Sequence, residues 1–247
     1  MKLLRVILFP FYLLSETVAI KMSDNVFAVS TYLVEKFRRM NKSVVHIPNG
    51  ADVELISRIR PVKLAKCYVY YMGGFLKWRG IDLLCQAFEI VRKRFPNVRL
   101  VLAGGLPEEI KYYPEIRPYL LQPYVIYLFG CSHEQAISYL KGAKIAILPN
   151  RNTIFSRSIS SKVFEYIAAE IPQVCTDSGK HAQWVRRLDV GLVVKDDPKA
   201  IAEGITQLLT NKKLYKRFKT NCKKRKWKID SKRLRNCWFR YLEEICK

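Results

Sequence analysis

The sequence predicts an α/β protein built on a parallel sheet. Three observations predict it. From Lys66 onward, short apolar runs of strand length alternate with amphipathic stretches of helix length, the signature of repeated βαβ units with right-handed crossovers. The loops richest in glycine, hydroxyl and cationic residues (73–80, 104–107, 130–133, 150–161 and 177–181) all follow the apolar runs, where ligands bind in such sheets. Finally, 247 residues with a hydrophobic fraction of 49% can bury a core of one large domain with appendages.

The elements follow in order. "MKLLRVILFPFYLLSETVAI" (1–20) has the look of a secretory leader, with Lys2 ahead of an apolar run. Arg5 and Pro10 interrupt that run, no small-residue cleavage site follows, and the run is too short to span a bilayer. The expectation is a buried strand followed by a helix, with membrane contact left open. Residues 24–52 read as strand, helix, strand and turn, closing on "VVHIPNG", and proline-containing 57–66 reads as a linker. "CYVYYMGG" (67–74) is strand then turn, and 80–94 is a helix. "VRLVLAGG" (98–105) repeats the motif. "YVIYLFG" (124–130) is a third strand, followed by the helix 132–143 with Ser132 as its N-cap. "KIAILPN" (144–150) is a strand, 161–170 a helix, "PQVCTD" (172–177) and "VGLVVK" (190–195) strands, and 198–210 a helix. Residues 212–247 form a basic helical tail carrying Tyr215, Phe218, Trp227, Trp238, Phe239 and Tyr241.

Charge narrows the partners. The chain has 44 Lys and Arg against 21 Asp and Glu, a net charge of +23. Residues 212–247 hold 15 of those cations against 3 acids. Such a bias fits an anionic surface, either lipid headgroups or an acidic partner. Nucleic acid is disfavoured because no nucleic-acid motif accompanies the cations. Seven cysteines are widely spaced, with no CxxC, and the three histidines form no HExxH-like pair. Neither a zinc site nor a secreted disulfide framework is expected. The cysteines are expected to be mostly buried in a reducing, cytoplasmic compartment, with peripheral membrane association open.

Two stretches carry candidate chemistry. In "GGFLKWRG" (73–80), Gly73 and Gly74 allow close backbone approach, Lys77 and Arg79 add charge, and the following helix offers its N-terminal amides. A diphosphate fits that combination; a plain glycine turn with surface cations is the alternative. In 150–177, hydroxyls at 153, 156, 158, 160 and 161 crowd a helix start, so Ser160 and Ser161 become phosphate-binding candidates. Lys162 and Glu165, three apart, project from nearly one face. The carboxylate could accept two hydrogen bonds from a ribose diol; the alternative is a cap with a surface salt bridge.

Taken together, "YMGGFLKWRGIDLLCQAF", "RLVLAGG", "YVIYLFGCSHEQAISYLKGAKIAILPN", "SKVFEYIAAEIPQVCTDSG" and "VGLVVKDDPKAIAEGITQLLTNKKLYKRF" resemble the nucleotide-sugar-binding domain of GT-B glycosyltransferases, in the retaining group often called family 4. The similarity runs from about Asp24 to Arg225. It implies a Rossmann-like, doubly wound domain over 61–211 that holds a UDP- or GDP-sugar. It also implies that residues 1–60 are the last part of an acceptor-side domain whose catalytic-site His has no counterpart here. By this resemblance Arg79 falls on a diphosphate-binding Lys, Glu165 on the ribose-binding Glu, Phe129, Gly130 and Cys131 on the base-contacting segment, and Gly73 and Gly74 on the phosphate loop. Arg79, Lys77 and Glu165 would carry the chemistry.

There are departures. Gly74 stands where the family has Arg, Arg157 where it often has its first Glu, Glu170 where it has Gly, and Gln183 where it has Glu. Lys162 matches subgroups with a Lys three before the second Glu. Retaining transfer in this group has the leaving phosphate help deprotonate the acceptor, and no metal or cofactor is required. Two classes of function fit. One is a transferase acting on a glycan or lipid-linked acceptor, its acceptor half minimal, in another chain or completed by a second copy. The other is a nucleotide-sugar-binding scaffold without turnover.

Overall fold

The structure, a computed structural model, describes residues 2–153, 159–234, 236 and 243. Ser156, Arg157 and Ser158, and the tail aromatics Trp238, Phe239 and Tyr241, lie outside the described residues. The chain divides into two compact units, the smaller containing Met1–Asn49 and the larger Gly50–Asn236.

In the smaller unit, α1 (Lys2–Met22) is one helix with Pro10 inside it. This corrects the expected strand followed by a helix. A strand must find a neighbour for its backbone groups, whereas a helix satisfies its own. Leu, Lys, Glu and Met favour the helix, and one interior proline, costing about 3 kcal/mol, does not break a run of this length. Asn41 then donates to the carbonyls of Ile20 and Ser23 at 2.7 Å, closing the C-terminal turn of α1. The rest of the unit follows the expected order: β1 (Val26–Ala28), α2 (Thr31–Arg38) capped by Ser30, and β2 (Val44–His46). β1 and β2 pair in parallel, and Ala28, Val34 and Val44 form a small core beneath them.

The larger unit starts with α3 (Val53–Arg58), whose N-cap Asp52 accepts from the Leu55 amide at 2.9 Å. Its last residues overlap the stretch expected as a linker. Then come β3 (Tyr68–Met72), α4 (Ile81–Arg94), β4 (Arg99–Ala103), α5 (Pro107–Tyr112), α6 (Arg117–Leu120) and β5 (Val125–Leu128). The second half holds α7 (His133–Gly142), β6 (Ile145–Leu148), α8 (Lys162–Ala168), β7 (Gln173–Thr176), α9 (Lys180–Leu188), β8 (Gly191–Val194), α10 (Pro198–Thr210) and α11 (Lys212–Arg225).

The six strands of this unit are all parallel, in the order β5-β4-β3-β6-β7-β8. Strand order therefore reverses between β3 and β6, which places the crevice of a doubly wound sheet at their carboxyl ends. Side chains alternate between two cores. Tyr68, Tyr70 and Met72 join α7, α8 and α9 on one face, while Val69 and Tyr71 join α4 and α10 on the other. The tyrosines of β3 are almost wholly buried, which is tolerable because each hydroxyl finds a backbone acceptor. Tyr68 donates to Tyr139 O and Tyr70 to Ala136 O, both at 2.6 Å, and Tyr71 donates to Gly74 O at 2.8 Å. Their aromatic bodies thus supply core while their tips fix α7 and the loop after β3.

The basic segment 212–230 belongs partly to this core. α11 buries Phe218 on one face of the sheet and Cys222 on the other. Beyond it, Ala51 bridges Asp230 in parallel, the Ser231 amide donates to Ala51 O at 2.8 Å, and the Val53 amide donates to the buried Asp230 carboxylate at 3.3 Å.

Candidate functional site

The site is built on the loop that leaves β3 at the reversal of strand order. Gly73 and Gly74 lead into a 3-10 turn, Lys77–Arg79, and Gly80 opens α4 in the left-handed region at φ 66°. A Cβ at Gly80 would sit 1.9 Å from Pro149 O, so both backbone conformation and space require glycine there.

The amides of this loop do not stand open as the sequence suggests. The Gly73 amide donates to Ala103 O at 2.9 Å. The Phe75 amide donates to Glu109 at 3.0 Å, and the same carboxylate oxygen accepts from the Leu106 amide at 2.9 Å. Glu109 occupies the space that a side chain at Gly74 would need, 2.7 Å from an ideal Cβ. In the first turn of α4, Asp82 pairs with Arg151. The loop is therefore braced from α5, an element with no signal in its sequence beyond Pro107 at a helix start and two following acids.

The side chains do converge. Lys162, the first residue of α8, reaches back against Gly73, its Nζ 2.7 Å from where a Cβ would be. Arg79 stacks on Trp78 with its guanidinium carbon 3.9 Å from the ring centroid, and its Nε has no partner among the described residues. Burial first, then the Arg79 charge, pushes the Lys162 ammonium down to about 8, against an opposing pull from Glu165. A fall from the ordinary 10.5 to about 8 corresponds to a cost on the order of 3 kcal/mol for keeping Lys162 charged at neutral pH. An anion beside the two cations would relieve it.

Glu165 lies one turn along α8, and its carboxylate is 2.8 Å from His133 Nε2 at the start of α7. That contact raises the His133 pKa, first through the hydrogen bond and then through the carboxylate charge. Lys162 and Glu165 feel each other's charge, but the hydrogen-bonded partner of Glu165 is His133.

The remaining candidates fall as follows. Lys77 is exposed. Phe129, 53% exposed, leans on Tyr127 with centroids 6.1 Å apart. Gly130 is left-handed at φ 58° in open space, and Cys131 is half-buried against the α7 face of the core. Ser160 is half-buried with its hydroxyl unpartnered among the described residues, and Ser161 sits at the N-cap of α8 without making a cap bond. The geometry thus gathers Gly73, Gly74, Arg79, Lys162 and Glu165 and leaves Lys77 outside.

Three residues join that were not expected. Glu109 and His133 are described above. The third is His181, in the first turn of α9, which is 1% exposed and close enough to Arg79 to feel its charge. Its sequence signals were its place at the end of loop 177–181 and its apolar spacing with Ala182, Val185 and Leu188 along α9.

A parallel doubly wound sheet with its crevice at the reversal of strand order defines the Rossmann-like class of α/β domain. The chain belongs to the group 1 glycosyl transferases, whose family model matches residues 52–225. It is 29% identical over 158 residues to the capsular polysaccharide biosynthesis glycosyltransferase CapM of Staphylococcus aureus, covering 63% of this chain and 40% of that one. It is 22% identical over 165 residues to the uncharacterized glycosyltransferase YqgM of Bacillus subtilis, covering 66% of this chain and 46% of that one. The chain thus spans about half or less of the length of these relatives. Among solved structures it resembles sucrose-phosphate synthase of Thermosynechococcus elongatus, with a TM-score of 0.73 at 20% identity, over 94% of this chain and 62% of that one. HepE of Anabaena, solved in complex with UDP, gives a TM-score of 0.73 at 15% identity over 92% and 65%. These two likenesses establish the GT-B type of fold.

Proposed function

We propose that the larger unit binds the diphosphate of a UDP- or GDP-sugar and that the protein transfers the sugar, with retention, to a glycan or lipid-linked acceptor. One observation carries the reading. Lys162 lies against Gly73 at the carboxyl end of β3, close enough to Arg79 for that charge to lower its pKa, while the Glu165 carboxylate that pulls the other way is bonded to His133. Membership of the group 1 family and the likeness to a UDP-complexed protein support it.

In the transfer, negative charge builds on the leaving diphosphate as its bond to the sugar lengthens. Cations already in place stabilise that charge without reorganising, and losing one such contact typically costs about 2.7–4 kcal/mol of barrier. The diphosphate itself takes up the acceptor's proton, so this chain supplies no general base in the scheme. Glu165 would accept from the ribose hydroxyls, giving up or sharing its contact with His133. The scheme needs no metal or cofactor.

The acceptor half is proposed to come from outside the larger unit. Peripheral contact with an anionic membrane is supported by Phe11, Tyr12, Leu14 and Met22 exposed along α1 and by the net charge of +23. No helix among the described residues is long and apolar enough to cross a membrane.

The test is calorimetric titration with UDP, GDP and ADP, followed by transfer assays with the nucleotide-sugars of whichever base binds. Selective binding with transfer supports the whole reading. Selective binding without transfer, unrelieved by any companion protein, favours a scaffold. Failure to bind all three nucleotides removes the donor site.

A further inference from the structure

We propose that His181 is a proton-accepting member of the donor site: neutral in the free protein, it takes up a proton at Nε2 when a nucleotide diphosphate settles against Arg79 and Lys162, and so changes from a hydrogen-bond acceptor into a donor. The inference rests on the donor-binding reading above.

The geometry comes first. His181 is 1% exposed, yet its Nε2 has no hydrogen-bond partner among the described residues. The Thr176 backbone lies near enough to the ring to favour its protonation. In the neutral tautomer with the proton on Nδ1, Nε2 carries the lone pair. An unpaired acceptor at this depth is penalised unless something answers it, and such groups concentrate where a ligand or a proton does.

The charges facing His181 decide its state. Arg79, from the turn after β3, opposes protonation. Asp177, from the loop between β7 and α9, favours it, but is held in a bidentate pair with Arg186 at 2.8 and 3.1 Å. Burial, the largest cause, acts with Arg79 against Asp177 and pushes the ring down to about 4. In the free protein near neutrality the ring is therefore uncharged. A diphosphate bound to Arg79 reverses the balance, since it neutralises a cation that opposes protonation and adds negative charge of its own. Each opposite charge within hydrogen-bonding range lifts such a group by about 1–3 pH units, enough to bring it into the neutral range. The proton comes from solvent, one N–H bond forms at Nε2, and nothing leaves.

Calorimetry at pH 6.5 in two buffers of different ionisation enthalpy measures the protons exchanged when UDP or GDP binds. At that pH Lys162 is charged with or without ligand, because it titrates near 8. The nucleotide's terminal phosphate also titrates in this range, so the readout is the difference between wild type and His181→Gln. Wild type is expected to take up more protons per bound nucleotide than the variant, up to about three quarters of a proton if binding lifts the ring by about 3 pH units. A second measurement needs no variant: the chain has three histidines, His46, His133 and His181, and a long-range proton–nitrogen NMR spectrum separates a neutral ring from an imidazolium. The His181 signals should move from the neutral Nδ1–H tautomer to the imidazolium on addition of UDP or GDP. Equal proton exchange in wild type and variant, or a ring still neutral when bound, overturns the inference while leaving the donor site standing. Absence of binding by the wild type overturns both.

Discussion

Glu109 and Lys162 both press against the glycine pair, Glu109 against Gly74 and Lys162 against Gly73, and they differ in what answers their charge. The Glu109 carboxylate is met by the amides of Phe75 and Leu106, so the α5 side of the loop is electrically closed. The Lys162 ammonium is met by another cation and by a carboxylate already bonded to His133. The loop that looks like an amide cradle in the sequence is thus partly used up as structure, and attraction for an anion rests on side chains from α8 and the 3-10 turn. The lesson is that glycines after a strand report close approach, and that what approaches can belong to the protein itself.

The comparison can be broken most sharply at Arg79. Arg79→Ala should weaken UDP or GDP binding by about 10–100-fold, the worth of a hydrogen bond to a charged group, with an unchanged melting midpoint. Wild-type affinity in this variant and in Glu165→Ala together would remove the site assignment. Next comes pH. Lys162 has a lowered pKa in the free protein, so it is charged below about 8 and loses its charge as pH rises through that value. Nucleotide affinity should therefore fall above pH 8, by up to about tenfold per unit, in wild type and stay flat in Lys162→Met.

Smaller effects sharpen the other flank. Glu165→Ala should cost roughly tenfold in affinity, and it should return the raised His133 pKa toward 6.5 in an NMR titration. Glu109→Gln keeps the shape but weakens the bonds to two amides. A loss of about 1 kcal/mol in a urea melt is expected, with affinity changed only a few-fold. Lys77→Ala should change affinity less than twofold, as befits an exposed charge. A large effect there would mean that the loop closes further around its ligand.

The parts that the sequence disclosed are those encoded locally. Each strand from β3 to β8 is a short apolar run between turns, and every helix with a strong cap or a long amphipathic face was legible, such as α7 behind Ser132 and α10 behind Asp197. Three other helices were not. α3 and α5 are 6 residues each, too brief for a helical period to declare itself, and α9 hides its apolar face among Lys, His and Arg. α1 misled because an apolar run broken by Pro10 reads equally as strand and helix until pairing is known. In the site, Arg79, Lys162 and Glu165 could be nominated from motif positions. Glu109, His133 and His181 could not, because their roles depend on contacts 32 to 34 residues away or on a neighbour's charge.

The tie between residues 51–53 and 230–231 has a consequence for how the chain is made. The Val53 amide waits for a carboxylate 177 residues further on. At about 5–20 residues per second, that partner is synthesised roughly 10–35 s after the first, and emerges from the ribosome later still. Until then the beginning of this unit lacks its final hydrogen bonds, and Cys222, Phe218 and Ile229 cannot seal the two cores. Closure of the domain therefore waits until residue 230 has left the ribosome, and a nascent chain stalled before that point presents an unfinished fold to the cell's quality-control machinery.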